Sequence, residues 1–402
     1  SSSSCANFGQ DGTFAGTETA QGNSDDTGYG NFYYDPPAGF LSLCTGNLPV
    51  ADAIDPAQTD DNFSQKLFSP ILYTGNGGTN NITGLGFQPD WLLIKIRNTA
   101  SNAVTVDSNR GTNKVLFPTN NDAEYTSANV TAFGTDGFSL DGTSNNLANF
   151  NGNGNTYVAW SWRANGGTTS SDASGDITSV GQKDPSGCFS IVTYTGSGTQ
   201  AQTIAHHLDQ APIAFIAKQR NSSNNWMFTA GTSYMNSRYA YLDSHAAAQG
   251  GLYGGGRSFS ANAGSSLMAL EGATEMNGSG RTYVGYFFSN CEGYIKIAEY
   301  TGNGNADGAF VYTGFRPAFV MTKMLDGGAE WTVYDDKRDP FNEADHILQL
   351  DLSDAERTDL DEIDILSNGF KCLSTGGRTN QSGKTYLYLA FAENPFQYAT
   401  AR

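Results

Sequence analysis

The four histidines are the first candidates for metal binding or acid–base chemistry. They are His206, His207, His245 and His346. The adjacent pair His206–His207 precedes an apolar run, but the spacing supplies no third ligand for a zinc ion. The five cysteines form no CxxC motif, so they are expected to be mostly buried small side chains rather than zinc ligands. They are Cys5, Cys44, Cys188, Cys291 and Cys372.

A second pattern that could carry chemistry is an aspartate followed three residues later by an arginine. One copy is Asp107 with Arg110, and the other is Asp335 with Arg338. Each copy lies 12 and 15 residues after a lysine that is itself repeated. We expect an ion pair that pins a loop, and the alternative is a ligand-binding carboxylate. The corresponding part of the middle repeat has Ala230 and Ser233, which excludes a catalytic role common to all copies.

These residues belong to a repeat with landmarks that stay in register three times along the chain, the kind of signal that indicates duplicated modules. The first landmark is a Tyr-Thr-Gly-Asn/Ser-Gly box that starts at Tyr73, Tyr194 and Tyr300. The second is the lysine that ends a Pro-led apolar run, at Lys95, Lys218 and Lys323. The third is a closing strand with the tyrosines Tyr157, Tyr283 and Tyr386. We call the first and last tyrosine of each copy its opening and closing tyrosine.

Motifs of several enzyme classes are missing from the sequence. It contains no G-x-S-x-G elbow and no H-E-x-x-H. The glycines of the box are not followed by the GK[ST] of a phosphate loop. Glycosidases need two carboxylates about 5–10 Å apart, and no pair among the 40 acidic residues stands out. The sequence therefore predicts a protein that is not an enzyme and carries no cofactor.

The elements that position these residues are predicted to be β-strands. The run after each proline is continuously apolar, which is typical of a strand buried on both faces. The closing strand of the first copy alternates, with Tyr157, Ala159 and Ser161 on one side and the residues between them on the other. The box is expected to be a turn that uses positive φ angles at glycine. We predict an all-β fold of tandem antiparallel β-sandwich modules of a jelly-roll or lectin-like kind.

The landmarks also set the domain boundaries. We predict module 1 over residues 66–165, module 2 over 187–290 and module 3 over 291–402, with linkers at 51–65 and 166–186. Residues 1–50 are expected to be the last strands of another β domain. The linker 166–186 is predicted to be flexible because it is rich in Gly, Ser and Thr.

Module 3 carries an acidic insertion over residues 335–364. Ser353-Asp-Ala-Glu356 in this insertion is a capping box, which predicts a short helix over about 354–363. Calcium is the alternative partner of these acidic residues, but the spacing lacks the glycine of an EF-hand loop.

Charge limits the classes of partner. The chain has 22 basic and 40 acidic residues and a net charge of −18, so phosphate backbones and anionic membranes are repelled. No run of 18 apolar residues occurs, so no helix is expected to span a membrane. The sequence therefore predicts no nucleic-acid and no membrane partner.

Several strings resemble an uncharacterised domain family of tailed-phage structural proteins. They are Tyr73–Gly77, Thr83–Asp90, Asp107–Gly111, Asp136–Phe138 and Tyr157–Trp160. Phe32–Cys44 with Asn47-Leu-Pro49 resembles the end of a SPRY-like, concanavalin-type sandwich, and Tyr386–Phe396 resembles the last strand of many such proteins. The resemblance implies a virion location and a lectin-like sandwich, but no activity.

The resulting expectation is a non-enzymatic tail fibre or appendage that contacts the host surface, with other virion proteins and surface glycans as partners. Aromatic rings can stack on sugars while nearby amides bind hydroxyl groups. The alternatives are a capsid decoration or head-fibre protein and a glycan-degrading enzyme. A homo-oligomer is expected, with a trimer favoured, because sandwich edges invite side-by-side contacts.

Overall fold

The computed structural model describes residues 11–44, 47, 61, 63–142, 147–250, 260–261, 266–360 and 362–393. Most of the predicted linker 51–65 and the end of the motif Tyr386–Phe396 lie outside these residues. The chain divides into two compact units, Ser1–Thr59 and Asp60–Arg402. Among the described residues, no helix is long and apolar enough to cross a membrane.

The described part of the first unit is built from turns rather than from the predicted strands. Among these residues β-type pairing occurs at a single bridge, between Asn23 and Phe32, and the other backbone hydrogen bonds are those of turns. The Asp25 carboxylate accepts hydrogen bonds from the backbone amides of Tyr29 at 2.9 Å and Ser42 at 2.7 Å. A side chain, and not a neighbouring strand, therefore satisfies these amides.

Module 1 is a sandwich of a four-stranded inner sheet and a three-stranded outer sheet. Its strands are β1 (Phe68–Thr74), β2 (Asn80–Thr83), β3 (Trp91–Ile96), β4 (Val104–Asp107), β5 (Lys114–Val115), β6 (Tyr125–Thr126), β7 (Val130–Gly134), β8 (Gly137–Leu140) and β9 (Thr156–Trp162). A 3-10 helix (Ser64–Lys66) and the short helix α1 (Leu147–Phe150) complete it. The inner order is β1-β9-β3-β4 and the outer order is β2-β8-β7.

Modules 2 and 3 repeat this plan with antiparallel strands throughout. The strands of module 2 and of the segment before it are β10 (Ser170–Asp172), β11 (Ser179–Lys183), β12 (Phe189–Thr195), β13 (Gln202–Ala205), β14 (Ala214–Gln219), β15 (Met227–Ala230), β16 (Arg238–Tyr241), β17 (Gln249–Gly250), β18 (Ser260–Ala261), β19 (Leu267–Leu270) and β20 (Thr282–Phe288), with a 3-10 helix (Met235–Ser237) and α2 (Thr274–Asn277). Those of module 3 are β21 (Ile295–Thr301), β22 (Phe310–Tyr312), β23 (Pro317–Met324), β24 (Thr332–Asp335), β25 (Leu348–Gln349), β26 (Ile363–Leu366), β27 (Gly369–Cys372) and β28 (Thr385–Ala392). The inner sheets are β10-β11-β12-β20-β14-β15-β16-β17 in module 2 and β21-β28-β23-β24-β25 in module 3. The outer sheets are β13-β19-β18 and β22-β27-β26, as in module 1. The fold is therefore an all-β sandwich fold, as predicted.

The three inner sheets pack against one another around a common core. Val158, Trp160 and Trp162 of β9 lie in this core together with residues of modules 2 and 3, whereas Tyr157 and Ala159 lie in the core of module 1 itself. This confirms the predicted alternation of the closing strand. Every residue of β3, β14 and β23 is buried, which confirms that the runs after the prolines are strands buried on both faces. The modules therefore share one core and are not structurally independent domains.

Aromatic rings fill the shared core. Trp162, Phe288 and Phe391 occupy the same position in the three closing strands, five residues after the closing tyrosine. The Phe391 ring centroid lies 5.4 Å from that of Trp162 and 6.0 Å from that of Phe288. Trp91 also stacks on Tyr286 across the border between modules 1 and 2, at 4.3 Å. Such ring contacts add about 0.5–1.5 kcal/mol each beyond the burial of their area.

Two predictions of local structure are wrong. The segment 166–186 is not a loose linker, because β10 and β11 add two strands to the edge of the inner sheet of module 2. No helix forms over the described residues of 354–363. Arg357 pairs instead with Ile347 through two backbone hydrogen bonds, and the Glu356 side chain contacts arginines rather than capping a helix. Tertiary contacts thus override a local capping signal.

The cysteines also differ from the prediction in part. Cys188 and Cys291 form a disulfide bond that links the start of module 2 to the start of module 3. Cys372 is a buried free thiol, as expected for a small core side chain, and Cys44 is free and half-buried. Burial raises the pKa of the Cys372 thiol to about 12, so this thiol stays protonated.

Candidate functional site

The opening and closing tyrosines of each module lie opposite each other on neighbouring inner strands. Their ring centroids are 4.9, 5.1 and 5.1 Å apart, and the rings are nearly parallel. The pairs are Tyr73–Tyr157, Tyr194–Tyr283 and Tyr300–Tyr386. Burial raises the pKa of Tyr283 and Tyr386 to about 12, so both hydroxyl groups stay protonated near neutral pH. Four of these six tyrosines are buried in the core, and Tyr73 and Tyr300 are half-buried and pack against it.

A buried asparagine that is absent from the predicted site residues holds the box in place. In each module its side-chain oxygen accepts the backbone N–H of the fourth box residue, at 3.0, 2.8 and 2.8 Å. The three residues are Asn151, Asn277 and Asn380. Each precedes the closing tyrosine by six residues, a constant spacing that is visible in the sequence. The last box glycine, such as Gly77 with φ of 69°, has the positive φ predicted for this turn.

The repeated lysines join the modules in a ring. Each is fully buried, and its Nζ donates one hydrogen bond to a backbone carbonyl of its own module and one to a carbonyl of another module. The bonds between modules run from Lys95 to Leu352 at 2.5 Å, from Lys218 to Asn121 at 2.9 Å and from Lys323 to Ser244 at 3.1 Å. Module 1 thus reaches module 3, module 2 reaches module 1, and module 3 reaches module 2.

Burial lowers the pKa of each of these lysines to about 8. Nearby carboxylates, among them Asp351 beside Lys323, act in the opposite direction and favour the charged form. The carbonyl oxygens that each Nζ contacts are the second compensation, because a buried ammonium group needs partners for its protons. The lysines therefore act as charged cross-links between loops.

The two aspartate–arginine pairs lie at the module borders and form the expected ion pair. The Arg110 Nε donates to Asp107 at 2.6 Å, and the Arg338 Nε donates to Asp335 at the same distance. All four side chains are buried. Asp107 also accepts the hydroxyl of Tyr286 in module 2 at 2.7 Å. Each pair therefore pins its own loop and also contacts a neighbouring module.

A glutamate bridges two arginines at each of these borders. Glu124 contacts Arg110 at 3.1 Å within module 1 and Arg220 of module 2 at 2.7 Å. Although burial raises the pKa of Glu124, the guanidinium groups of Arg220 and Arg110 hold it below its usual value. Glu356 repeats the arrangement between modules 3 and 1, with Arg338 at 3.2 Å and Arg97 at 2.8 Å. Each border holds two acidic and two basic groups, so the network is neutral.

The border between modules 2 and 3 lacks this network, since small or apolar residues stand at the equivalent positions. They are Ala230 for the aspartate, Ser233 for its arginine, Ala248 for the glutamate, Leu325 for the second arginine and Leu389 for the aromatic donor. The backbone still pairs as in the other borders, with the Ala248 amide donating to the Leu325 carbonyl at 2.8 Å. Glu299 supplies another contact, because its carboxylate accepts the Tyr234 amide at 2.9 Å. The whole charged set is thus replaced together.

The histidine pair does not converge on a common ligand position. His206 is buried, and its Nδ1 accepts the backbone N–H of Leu208 at 3.1 Å. His207 lies 3.0 Å from the hydroxyl of Ser179. This hydroxyl also donates to the Ala205 carbonyl and is fully buried. The contact therefore joins His207 to β11 below the protein surface.

Among the described residues, one cluster has the composition of a metal site. Asp339, Asp345 and His346 bring one ligand atom each within 4.8 Å of the others. The His346 Nδ1 lies 2.5 Å from the Asp339 carboxylate and 2.9 Å from that of Asp345. The imidazole Nδ1 thus lies within hydrogen-bonding distance of both carboxylates. Calcium, the alternative raised by the acidic insertion, stays a prediction.

An open cleft of about 1090 Å³ lies beside the added strands β10 and β11. Its basic residues are neutralised by ion pairs, with Arg163 3.7 Å from Asp61 and Lys183 paired with Asp209. Burial raises the pKa of Asp184, which lines the cleft, to about 6. The cleft is thus a polar surface without a strong net charge.

Fold and site together define an all-β sandwich protein in which three duplicated modules share one core and in which repeated charged residues lie at the borders. The chain belongs to the family described as Domain of unknown function (DUF7483), whose model matches residues 64–395. The matched region contains the strands of all three modules. No curated protein matches the chain.

Proposed function

We propose that this chain is a structural, non-enzymatic protein of a tailed-bacteriophage particle, part of a tail fibre or appendage that meets the host surface. The observation that carries the proposal is the ring of lysine contacts. The ionisable residue that is most regular in the repeat is buried and binds carbonyl groups of another module. A group used in this way stabilises a shape and is inaccessible to a substrate.

The shared core supports a mechanical role. Three sandwiches that shared no core would move relative to one another, as interfaces between domains usually allow. Here the aromatic rings of all three modules lie in one cluster, and two borders add buried ion networks. A body of this kind keeps the relative positions of its outer loops, which is the property required of an appendage that presents a binding surface.

Other virion proteins and host-surface glycans are the partners in this proposal, and the chain forms a homo-oligomer, with a trimer favoured. Its edge strand β10 is largely exposed, and exposed strand edges favour pairing with another chain. Light scattering of the purified protein tests this part. A monomer at micromolar concentration would contradict it.

The location is tested by imaging purified phage particles with a gold-labelled antibody against residues 60–402. Label on tail fibres or other tail appendages supports the proposal, and label on the head instead indicates a decoration or head-fibre protein. Particles without label, when a capsid antibody labels the same sample, overturn the virion role. Loss of a host polysaccharide on incubation with the purified protein would contradict the non-enzymatic part and favour the glycan-degrading alternative.

A further inference from the structure

The outer sheet of module 3 differs from the other two outer sheets on its outward face. Phe310 and Tyr312 stand on the edge strand β22, and the two residues are 49% and 63% exposed. Val311 between them points inward and is buried in the core of the module. Two residues apart on one strand, the aromatic rings lie on the same face at a spacing of about 7 Å.

The duplicated modules show that the scaffold does not require these rings. Tyr312 lies opposite Gly369, just as Thr83 of module 1 lies opposite Gly137. By the same alignment Asn81 takes the place of Phe310. In module 2 the two positions are Thr203 and Ala205. The same sheet therefore forms with small or polar side chains, and the exposed aromatic pair is specific to module 3.

Charged side chains lie in the same row of the sheet as one of the rings. Phe310 lies opposite Lys371 on β27, and Lys371 lies opposite Asp364 on β26. Lys371 is about one third exposed and pairs with the exposed Asp307. The surface thus combines exposed aromatic rings with one hydrogen-bond donor, Lys371, and two carboxylate acceptors, Asp364 and Asp307, beside them.

Gly369 places no side chain on the central strand of this face. A Cβ atom on Gly369 would lie 2.1 Å from the Val311 carbonyl oxygen and 3.2 Å from Cε2 of Phe310. The close approach of the backbone therefore requires glycine here, and the Phe310 ring extends over it. The result is a shallow, open surface that is formed by aromatic rings.

We infer that this surface, which we call the aromatic platform (Phe310, Tyr312, Lys371 and Asp364), binds the pyranose rings of a neutral glycan. Aromatic faces pack against the C–H groups of a sugar, and the flanking charged groups bind its hydroxyls. A stable protein partner would need about 800 Å² of this chain's surface, whereas here a charged pair adjoins only two exposed rings. The inference rests on the proposed function, in that it assigns the contact with host glycans to one site.

The test uses the full chain and three named probes, maltohexaose, cellohexaose and chitohexaose, in saturation-transfer-difference NMR. We expect transfer to at least one probe. The variant Phe310→Asn with Tyr312→Thr copies the residues of module 1 and is expected to lose at least tenfold in affinity. The control Leu72→Thr removes an exposed apolar side chain of module 1 and should bind like the unchanged protein.

Circular dichroism melting shows whether the double variant keeps its fold, which the sequence of module 1 predicts. If no probe receives transfer, or if the folded double variant binds as well as the unchanged chain, the platform is not a glycan site. That outcome leaves the virion role standing when the antibody labels the tail. The converse result is that a glycan probe receives transfer that the double variant abolishes while the antibody leaves the phage particles unlabelled. That result overturns the proposed function but supports the aromatic platform as a glycan site.

Discussion

The indole Nε1 of Trp160 in module 1 donates a hydrogen bond to the Asp335 carboxylate of module 3 at 2.9 Å. This bond joins the first and the last module through two residues that are 175 positions apart in the chain. Tyr286 makes the equivalent bond to Asp107 between modules 2 and 1. At the third border both partners are lost together, since Leu389 replaces the donor. A buried acceptor and its donor are expected to change as a pair, because either one alone would be left without a partner.

The first prediction concerns the buried ion pair of module 3. Asp335→Ala leaves Arg338 charged and deprives it of its main partner, which should lower the free energy of unfolding by about 3–5 kcal/mol. Adding Arg338→Ser to Asp335→Ala copies module 2 and should recover part of this loss, because no unpaired charge remains. Urea unfolding followed by tryptophan fluorescence measures both variants. A double variant less stable than Asp335→Ala would contradict the idea.

Much of the local structure follows from the sequence. The spacing from the opening tyrosine to the lysine varies only between 22 and 24 residues. It predicts where the inner strands lie, because strand residues have a period of two and the landmarks keep their order. The alternation in β9 predicts which side chains face the module and which face outward. The asparagine that holds the box can also be predicted from the sequence, since Asn380 and its two counterparts keep a fixed distance to the closing tyrosine.

The closure of the ring could not be predicted in this way. Glu124 and Glu356 play the same role, but they follow their module lysines at different distances because the loops between them differ in length. Their equivalence is recognised only from the structure, in which Glu124 forms an ion pair with Arg220 and Glu356 forms one with Arg97. Which module contacts which depends on packing between residues far apart in the chain, and no local pattern records it.

The second prediction tests the lysine ring. Lys218→Met keeps most of the side-chain volume but removes the Nζ donor from the carbonyls of Asn121 and Asn224. The Asn121 carbonyl still accepts the Asn224 amide at 2.8 Å, so it is the Asn224 carbonyl that loses its donor. An unsatisfied carbonyl costs about 1–3 kcal/mol, and we expect a loss of that size in the free energy of unfolding. The control Lys114→Met replaces a half-buried lysine whose Nζ donates to the hydroxyl of the exposed Thr126 and should change stability little. Equal effects of the two substitutions would show that the buried lysine does not hold the loops.

The third prediction concerns the disulfide bond. A covalent link between Cys188 and Cys291 closes a long loop, since the two positions are separated by 103 in sequence. Replacing both with alanine should lower the free energy of unfolding by roughly 2–4 kcal/mol. A reducing agent should destabilise the unchanged protein to a similar extent and leave the double variant unaffected. Peptide mapping without reduction should recover the two cysteine peptides linked, and two free thiols there would contradict the bond.

The last prediction is a pH dependence caused by Asp336. Its side chain is buried, and its Oδ1 has no hydrogen-bond partner among the described residues. Burial raises its pKa to about 7, although Lys337 acts to lower it. A carboxyl with a raised pKa in the folded state adds stability that is complete below its ordinary pKa of 3.8 and is lost as the pH rises through about 7.

Asp336→Asn removes this titration and keeps the shape of the side chain. The variant should be about as stable as the unchanged protein near pH 4 and more stable by about 2–4 kcal/mol at pH 8, since each unit of pKa shift corresponds to about 1.4 kcal/mol. Urea midpoints at pH 4, 5.5 and 8 measure the difference, and Glu292→Gln, at an exposed position, serves as the control. A stability difference between the Asp336 variant and the unchanged protein that stays constant with pH would mean that the carboxylate is not charged and buried at neutral pH.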